Sequence, residues 1–587
     1  MRTNKSFQST TLSITTVGLL ALGGCPSDDT SPPGATDGDT STTMADSSST
    51  TGDSSSADSS SSDSSSTTGD TTEGSSSTGT GEADLLEQVL EALGGRDEVE
   101  ALATAELQVT GTRYMANQGL MPGDPALAVS DFDTTVSFDF STLSVRNDIV
   151  RGILFFPVPG PLLITEWAVP DAGGGYVQGV EGLFPGSPAE STMLSDRYAS
   201  TLEQAVLLNP HAILQDAAAG ETIATEVGTG EWDGQTFDLL ELSGGLDDLP
   251  IVLWIDQETD LLRRAVSLEN SHLHRDVEIE ARYDGWQNTD ADVLFPSGVQ
   301  LYVNGELIHD ETRNQVDANV RFDADLFTLP DGANPVLDEA EFERGLANHH
   351  HNQIFASIGI PTDGLQPFIM ASELEPGVHH ITGGSHHSLI VEQEGGVVVF
   401  EAPLNAQRCE SILQFIDDEL GGAPVTHIVL THHHSDHSAC ARTFVATGAE
   451  LVIHESAQAF FEDVLAAPST IEPDRLEIDP VMNPVIQTVP EGGSLLLDDP
   501  TNPVEVFDMA SSHSFDMVLP YVDPAGPNNG VLFTSDIYAP GSISLPPGPQ
   551  ETLDAINLIG IAGELSTIAG GHGGVGDLDT LIVEAGS

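Results

Sequence analysis

Between Thr431 and His437 the chain reads Thr-His-His-His-Ser-Asp-His, so His432, His434 and His437 join Asp436 within six residues. Three imidazoles and a carboxylate so close together are the nitrogen and oxygen donors that suit zinc and similar cations. The motif follows an apolar run, Val425 to Leu430, that reads as a buried strand. Alternate residues of an extended segment point the same way, so His432, His434 and Asp436 are expected on one side. His433 points to the other side and is not expected to ligate. His437 falls at the turn into a helix starting near Ser438. Fifteen of the nineteen histidines lie between His349 and His572, which puts the chemistry in the C-terminal half.

His-x-His-x-Asp-His after an apolar strand resembles the metallo-β-lactamase fold superfamily. The resemblance runs from about Leu374 to the C-terminus and includes the strands Gly377–Ile381 and Val397–Pro403. It implies an αββα sandwich, two sheets between helices, with metals at one edge. It also implies later ligands from separate strand ends, and the sequence offers His513, Asp536 and His572 in the right order, each just past a probable strand. By the family's pattern His432, His434 and His513 hold one metal. Asp436, His437 and His572 hold the second, and Asp536 bridges both. Two departures stand out. The usual Pro-Gly-His-Thr is Ser511-Ser512-His513-Ser514, and the usual Gly-Asp is Ser535-Asp536.

Other side chains are weighed against these. His454 ends a strand on the same rim and reads as a supporting or structural residue. His386-His387 reads equally well as pocket lining or as loop surface. His349-His350-His351 reads as an exposed polar turn at a domain junction, and His272 with His274 as a solvated strand face. Tyr521 and Tyr538 are candidate oxyanion donors, with simple packing at least as good a reading. Cys409 and Cys440 fit either a disulfide or two separate buried thiols. Arg442 is expected to pair with a core carboxylate rather than with substrate.

Stepping along the chain gives the elements that carry this site. Residues 1–25 read as a signal peptide ending Leu22-Gly23-Gly24-Cys25, which resembles a lipoprotein lipobox with Cys25 lipidated. Residues 26–82 are mostly Ser and Thr with Asp and Gly, too poor in apolar groups to fold, and read as a disordered tether. Residues 83–340 show a short helix, Leu85 to Leu93, and then many alternating runs separated by turns, a mainly antiparallel β domain. The pattern faintly resembles the half-barrel domains of lipoprotein carriers, which wrap a sheet around an apolar cavity. Residues 341–369 are an interdomain junction and 370–587 the catalytic domain. The fold class expected is therefore a two-domain α+β chain behind a tether.

The 587 residues carry 92 Asp plus Glu against 17 Lys plus Arg, a net charge of −75, and Lys5 is the sole lysine. Residues 83–587 hold 81 acids and 15 arginines, so the acidity belongs to the folded part. Such a surface excludes nucleic acid and basic docking, leaving a lipid anchor as the membrane attachment. Beyond residue 344 the cationic side chains other than histidine are Arg408, Arg442 and Arg475. A strongly anionic substrate therefore lacks the usual anchor.

The reading is a lipid-anchored, exported hydrolase of the cell envelope, either periplasmic or at the cell surface. It uses a metal-bound hydroxide, oriented by Asp436, on a neutral ester, lactone or amide. Zinc, two per chain, is the expected cofactor, with iron or manganese as alternatives. The partner is a small molecule, and the oligomeric state is left open. Two alternatives remain: a mononuclear iron oxygenase of the same fold, and a non-catalytic binding lipoprotein with a structural metal site.

Overall fold

The structure is a computed structural model that describes residues 84–156, 160–179, 190–244, 249–358 and 368–586. The expected signal peptide, lipidation site Cys25 and tether lie outside these residues. Among the described residues no helix is long and apolar enough to cross a membrane.

The first region opens with helix α1 (Leu85–Ala92), capped by the Asp84 side chain accepting from Leu86 N. Two long strands follow, β1 (Thr104–Met115) and β2 (Leu127–Asp139). They belong to one thirteen-stranded antiparallel sheet, in which the last strand, Glu306–Ala318, returns to pair with β1. Alternation decides which face is buried: Ala105, Leu107 and Val109 of β1 point into the core. Helices Ser195–Leu208 and Pro210–Ala219 cover that face. A cavity of about 80 Å³ lies between sheet and helix. Its wall is mixed, with Arg113, Glu166, Glu311 and Arg313 beside Leu107, Val109 and Ile149, so it differs from the apolar cavity of the carrier resemblance.

The junction is not a loose turn. Helices Glu339–Ala347 and His349–Ser357 pack back on Ser195–Leu208, where Ser200 Oγ donates to Gly345 O at 2.7 Å and Asn352 Nδ2 to Ser200 Oγ at 2.7 Å. The expected exposed histidine turn is corrected here. His349 is fully buried, with Nδ1 at 2.7 Å from Glu269 and Nε2 at 2.8 Å from Gln204, and His350 Nδ1 lies 2.9 Å from the same carboxylate. Glu269 offers His349 and His350 the partners that water would otherwise supply. His272 and His274 are corrected as well: they sit in the turn between strands Leu262–Ser271 and Arg275–Asp284, and His272 is buried. His272 packs edge-on against His351, His274 against Phe460. That turn also fastens the two regions together, with Arg275 donating to Ser469 Oγ at 3.0 Å and to Glu472 O at 2.8 Å.

The second region is a sandwich. Seven strands, from Met370–Glu375 to Ile486–Val489, make one sheet, and six, from Ser494–Leu497 to Val575–Gly576, make the other. The period of two splits each strand between layers. Val398 and Phe400 point to the facing sheet, where they meet Val518, Val531 and Phe533. Val397 and Val399 point to the helices Ala406–Glu419 and Gln458–Ala466. Helices Gly548–Ile559 and Leu578–Ala585 cover the other sheet. Cys409 and Cys440 form a disulfide, Cα atoms 6.3 Å apart, that joins Ala406–Glu419 to the turn following the histidine motif.

Candidate metal centre

Strand Val425–Val429 runs parallel to Gly396–Phe400 on one side and to Glu450–His454 on the other. In the second sheet Gly530–Phe533 is parallel to Leu565–Ala569. The chain leaves these strands at one edge of the sandwich, and the candidate ligands are the residues just beyond.

His432 and His434 leave the strand on one side, ring centroids 4.4 Å apart, and His433 turns away to Asp516, Nδ1 to Oδ1 2.8 Å. Asp436 is presented differently from the expectation. A short helix begins at Ser435, held by Ser438 Oγ donating to His434 O at 2.8 Å, so Asp436 comes from its first turn and not from an extended chain. Asp436 O and His437 O then accept from Leu404 N and Ala402 N, both at 3.0 Å, which ties the turn to the end of the neighbouring strand.

The seven expected ligands meet. Donor atoms of His432, His434, His513 and Asp536 lie within 4.8 Å of one another, as do those of Asp436, His437 and Asp536. Asp536 links the two groups: its Oδ1 is 2.8 Å from His437 Nε2 and 2.7 Å from His572 Nε2, and its Oδ2 is 3.2 Å from His513 Nε2. His386 joins them, edge-on to His437 and His572 at ring-centroid distances of 4.8 and 4.3 Å, with Nε2 donating to Asp436 Oδ2 at 3.0 Å.

The donor set fits cations on two grounds. His434 Nδ1 is buried without a hydrogen-bond partner, and His437 Nε2 and Asp536 Oδ1, 2.8 Å apart, make no well-aligned hydrogen bond, an arrangement a native structure rarely tolerates unless something else pairs with them. The opposite ring nitrogens of His432, His434, His437 and His572 are engaged, as ligating histidines require. His434 Nε2 donates to Gly119 O at 2.9 Å, His437 Nδ1 to Glu401 Oε2 at 2.8 Å and His572 Nδ1 to Ser385 O at 2.6 Å. His432 Nδ1 meets Thr431 Oγ1 at 2.9 Å.

Electrostatics agree. Burial and then the neighbouring imidazoles push His432 well below the usual histidine range, and burial lowers His434 to about 3. His437 goes the other way: burial opposes its charge, but Asp536, Glu401 and Asp436 outweigh it and raise the ring well above the usual histidine range. His572 is raised in the same way, chiefly by Asp536 against burial. A carboxylate cluster that raises the proton affinity of two neighbouring histidines has negative charge to offer a cation.

Glu401 is the residue that sequence reasoning missed. It is fully buried, takes φ 64°, and accepts from His437, from Thr431 Oγ1 at 2.7 Å and from Ser535 Oγ. An acid closing an otherwise apolar strand was its visible signal. Ser535 also has a positive φ, 48°, where the family pattern has glycine, and its hydroxyl contacts to Glu401 and Thr431 offset that conformation.

Tyr521 and Tyr538 are corrected as oxyanion donors, since both are buried in the cluster under helix Gly548–Ile559. His387 is buried beside His380 and does not form loop surface. His454 Nδ1 meets Ser456 Oγ at 2.7 Å, and its Nε2 lies 3.3 Å from Asp508. The arginines of this domain are all engaged elsewhere. Arg408 holds Phe368 O at 2.6 Å and His386 O at 3.1 Å, Arg442 holds Asp474 at 2.6 Å, and Arg475 holds Glu410 at 2.9 Å.

The metallo-beta-lactamase superfamily profile matches residues 406–576. No curated protein matches. Among solved structures, a metallo-beta-lactamase from Pontibacter korlensis is similar at 17% identity and TM-score 0.29, covering 37% of this chain and 98% of its own. An archaeal superfamily protein from Sulfolobus tokodaii is similar at 16% identity and TM-score 0.26, covering 36% and 85%. The DIM-1 metallo-beta-lactamase is similar at 17% identity and TM-score 0.28, covering 37% and 95%. The C-terminal region of this chain is a metallo-β-lactamase superfamily domain.

Proposed function

We propose that the chain is a metal-dependent hydrolase with a dinuclear centre, acting on a neutral ester, lactone or amide. One observation carries the reading: two groups of donor atoms, each gathered within 4.8 Å, share Asp536, while the opposite ring nitrogens of His432, His434, His437 and His572 are anchored. Zinc suits this set, and when bound it supplies an activated water and an electrophile for a carbonyl oxygen. Asp436 is gripped on both carboxylate oxygens, which fixes the plane in which it accepts a proton or a hydrogen bond from a nucleophile. Glu401 and Ser385 hold His437 and His572 in the tautomer that leaves Nε2 free.

Substrate charge follows from the arginines. With all three of the domain's guanidiniums committed to carbonyls or carboxylates, an anionic group on the substrate finds no cationic side chain among them. Leu120 and Phe515, joined by a backbone hydrogen bond of 2.8 Å next to the Gly119 contact with His434, are exposed, as is Met121, and they favour an apolar substituent. Export and lipidation at Cys25 complete the proposal, with the Ser/Thr-rich segment as a spacer.

The test is metal quantification on the purified full chain, followed by a screen of lactones, esters, thioesters and β-lactams. Two zinc equivalents and turnover of a neutral ester, lactone or amide support the reading. A fully metallated protein that hydrolyses none of them refutes it, and one iron per chain with oxygen uptake replaces it with an oxygenase. Cys25→Ser should move the protein from the membrane fraction to the soluble one. Unchanged partitioning would remove the lipid anchor.

A further inference from the structure

We propose that the tip of the β1–β2 hairpin, residues 116–124, is a working part of the metal centre, and that Gln118 positions Asp436 there. The inference rests on the dinuclear reading above.

The hairpin belongs to the first region, yet its tip reaches the site. The pairing of β1 with β2 shifts register between Arg113 and Tyr114, and Asn117 takes φ 55°, so the chain bends as it leaves the sheet. Asn117 Nδ2 lies 2.9 Å from His274 Nε2, which fixes the base of the loop against the interdomain turn. The tip is closed on itself by Asp124, whose Oδ2 accepts from Met121 N at 2.9 Å. Gly119 is needed for that tightness, because a Cβ there would fall 2.3 Å from Asp124 Cβ.

Three residues dock the closed tip. Gln118 Nε2 donates to Asp436 Oδ1 at 2.7 Å, Gly119 O accepts from His434 Nε2 at 2.9 Å, and Leu120 O accepts from Phe515 N at 2.8 Å. Two of the three fall on expected metal ligands, one from each group. The Gly119 carbonyl places the proton of His434 on Nε2, which leaves Nδ1 unprotonated toward the centre. Gln118 takes one oxygen of Asp436 while His386 takes the other, so the carboxylate cannot rotate. An amide suits this role better than a cation would. It orients the carboxylate without neutralising the charge that attracts a metal.

Cobalt(II) titration of the full-length apoprotein, followed by its visible spectrum, and zinc competition against a chromophoric chelator test the inference. Wild type should take two equivalents. Gln118→Ala and the isosteric Gln118→Met should keep one equivalent at wild-type affinity and weaken the other about tenfold to hundredfold. Their metal-free melting temperatures should match the wild type. Two equivalents at undiminished affinity in either folded variant would overturn the inference and reduce the hairpin to a docking contact. Fewer than two equivalents in the wild type would instead overturn the dinuclear reading, and this inference with it.

Discussion

Glu401→Gln is the sharpest test of how the centre is held. The carboxylate receives three hydrogen bonds, Thr431 and Ser535 on Oε1 and His437 on Oε2. A glutamine keeps only one acceptor oxygen. If that oxygen stays with the two hydroxyls, the new amide N–H groups face His437 Nδ1. The ring must then accept there and carry its proton on Nε2, the atom needed for a cation. Binding has to reverse the tautomer and leave a buried donor unpaired, at a cost of about 1–3 kcal/mol. At about 1.4 kcal/mol per decade, that is roughly a tenfold to hundredfold loss of affinity for one metal equivalent. Chelator competition reads the affinity directly, and urea unfolding of the metal-free protein shows whether the fold survives. A Glu401→Gln protein that binds both equivalents like the wild type would refute the argument that this carboxylate sets the tautomer of His437.

Arg408→Met should lower stability by about 2–4 kcal/mol, because a buried guanidinium bridging Phe368 O, Thr382 O and His386 O is lost; an unchanged urea midpoint would contradict this. Reducing the Cys409–Cys440 disulfide, whose cysteines are 31 residues apart, should cost about 2–4 kcal/mol, and thiol titration with and without denaturant checks that the bond exists. Acid should destabilise the protein. Burial holds His211, His274 and His309 near 4 and His351 near 3, all below the ordinary value of 6.5. The folded chain therefore binds fewer protons than the unfolded one between those values. This contribution is full above pH 6.5 and falls by about 1.4 kcal/mol per unit for each histidine as pH drops toward 4. His211→Gln should flatten the slope of stability against pH over that window, and an unaltered slope would refute the assignment.

Much of the second region was legible in the sequence. The apolar run Val397–Phe400 alternates between two cores as the strand period requires, and the histidine motif sits at a strand end where alternate side chains share a side. The helical step at Ser435 was not legible, because it depends on Ser438 turning back to His434 O. Sequence alone points to an exposed His349–His351 triplet, because polar residues ordinarily are exposed. Its burial depends on Glu269, which local pattern cannot bring near. The surroundings of His272 and His274 are hidden from the sequence for the same reason, since the neighbours of their turn, His351 and Phe460, come from other elements.

The sequence by itself determined the donor types, their spacing in the first motif, the acidic balance and the scarcity of cations near the site. These are properties of composition and of short-range geometry. Tertiary structure alone decided that Asp536 touches both ligand groups, that Glu401 holds His437, and that Gln118 reaches Asp436 across 318 residues. Hydrogen bonds of that kind are set by how sheets and loops pack. No periodicity along the chain encodes a partner so far away.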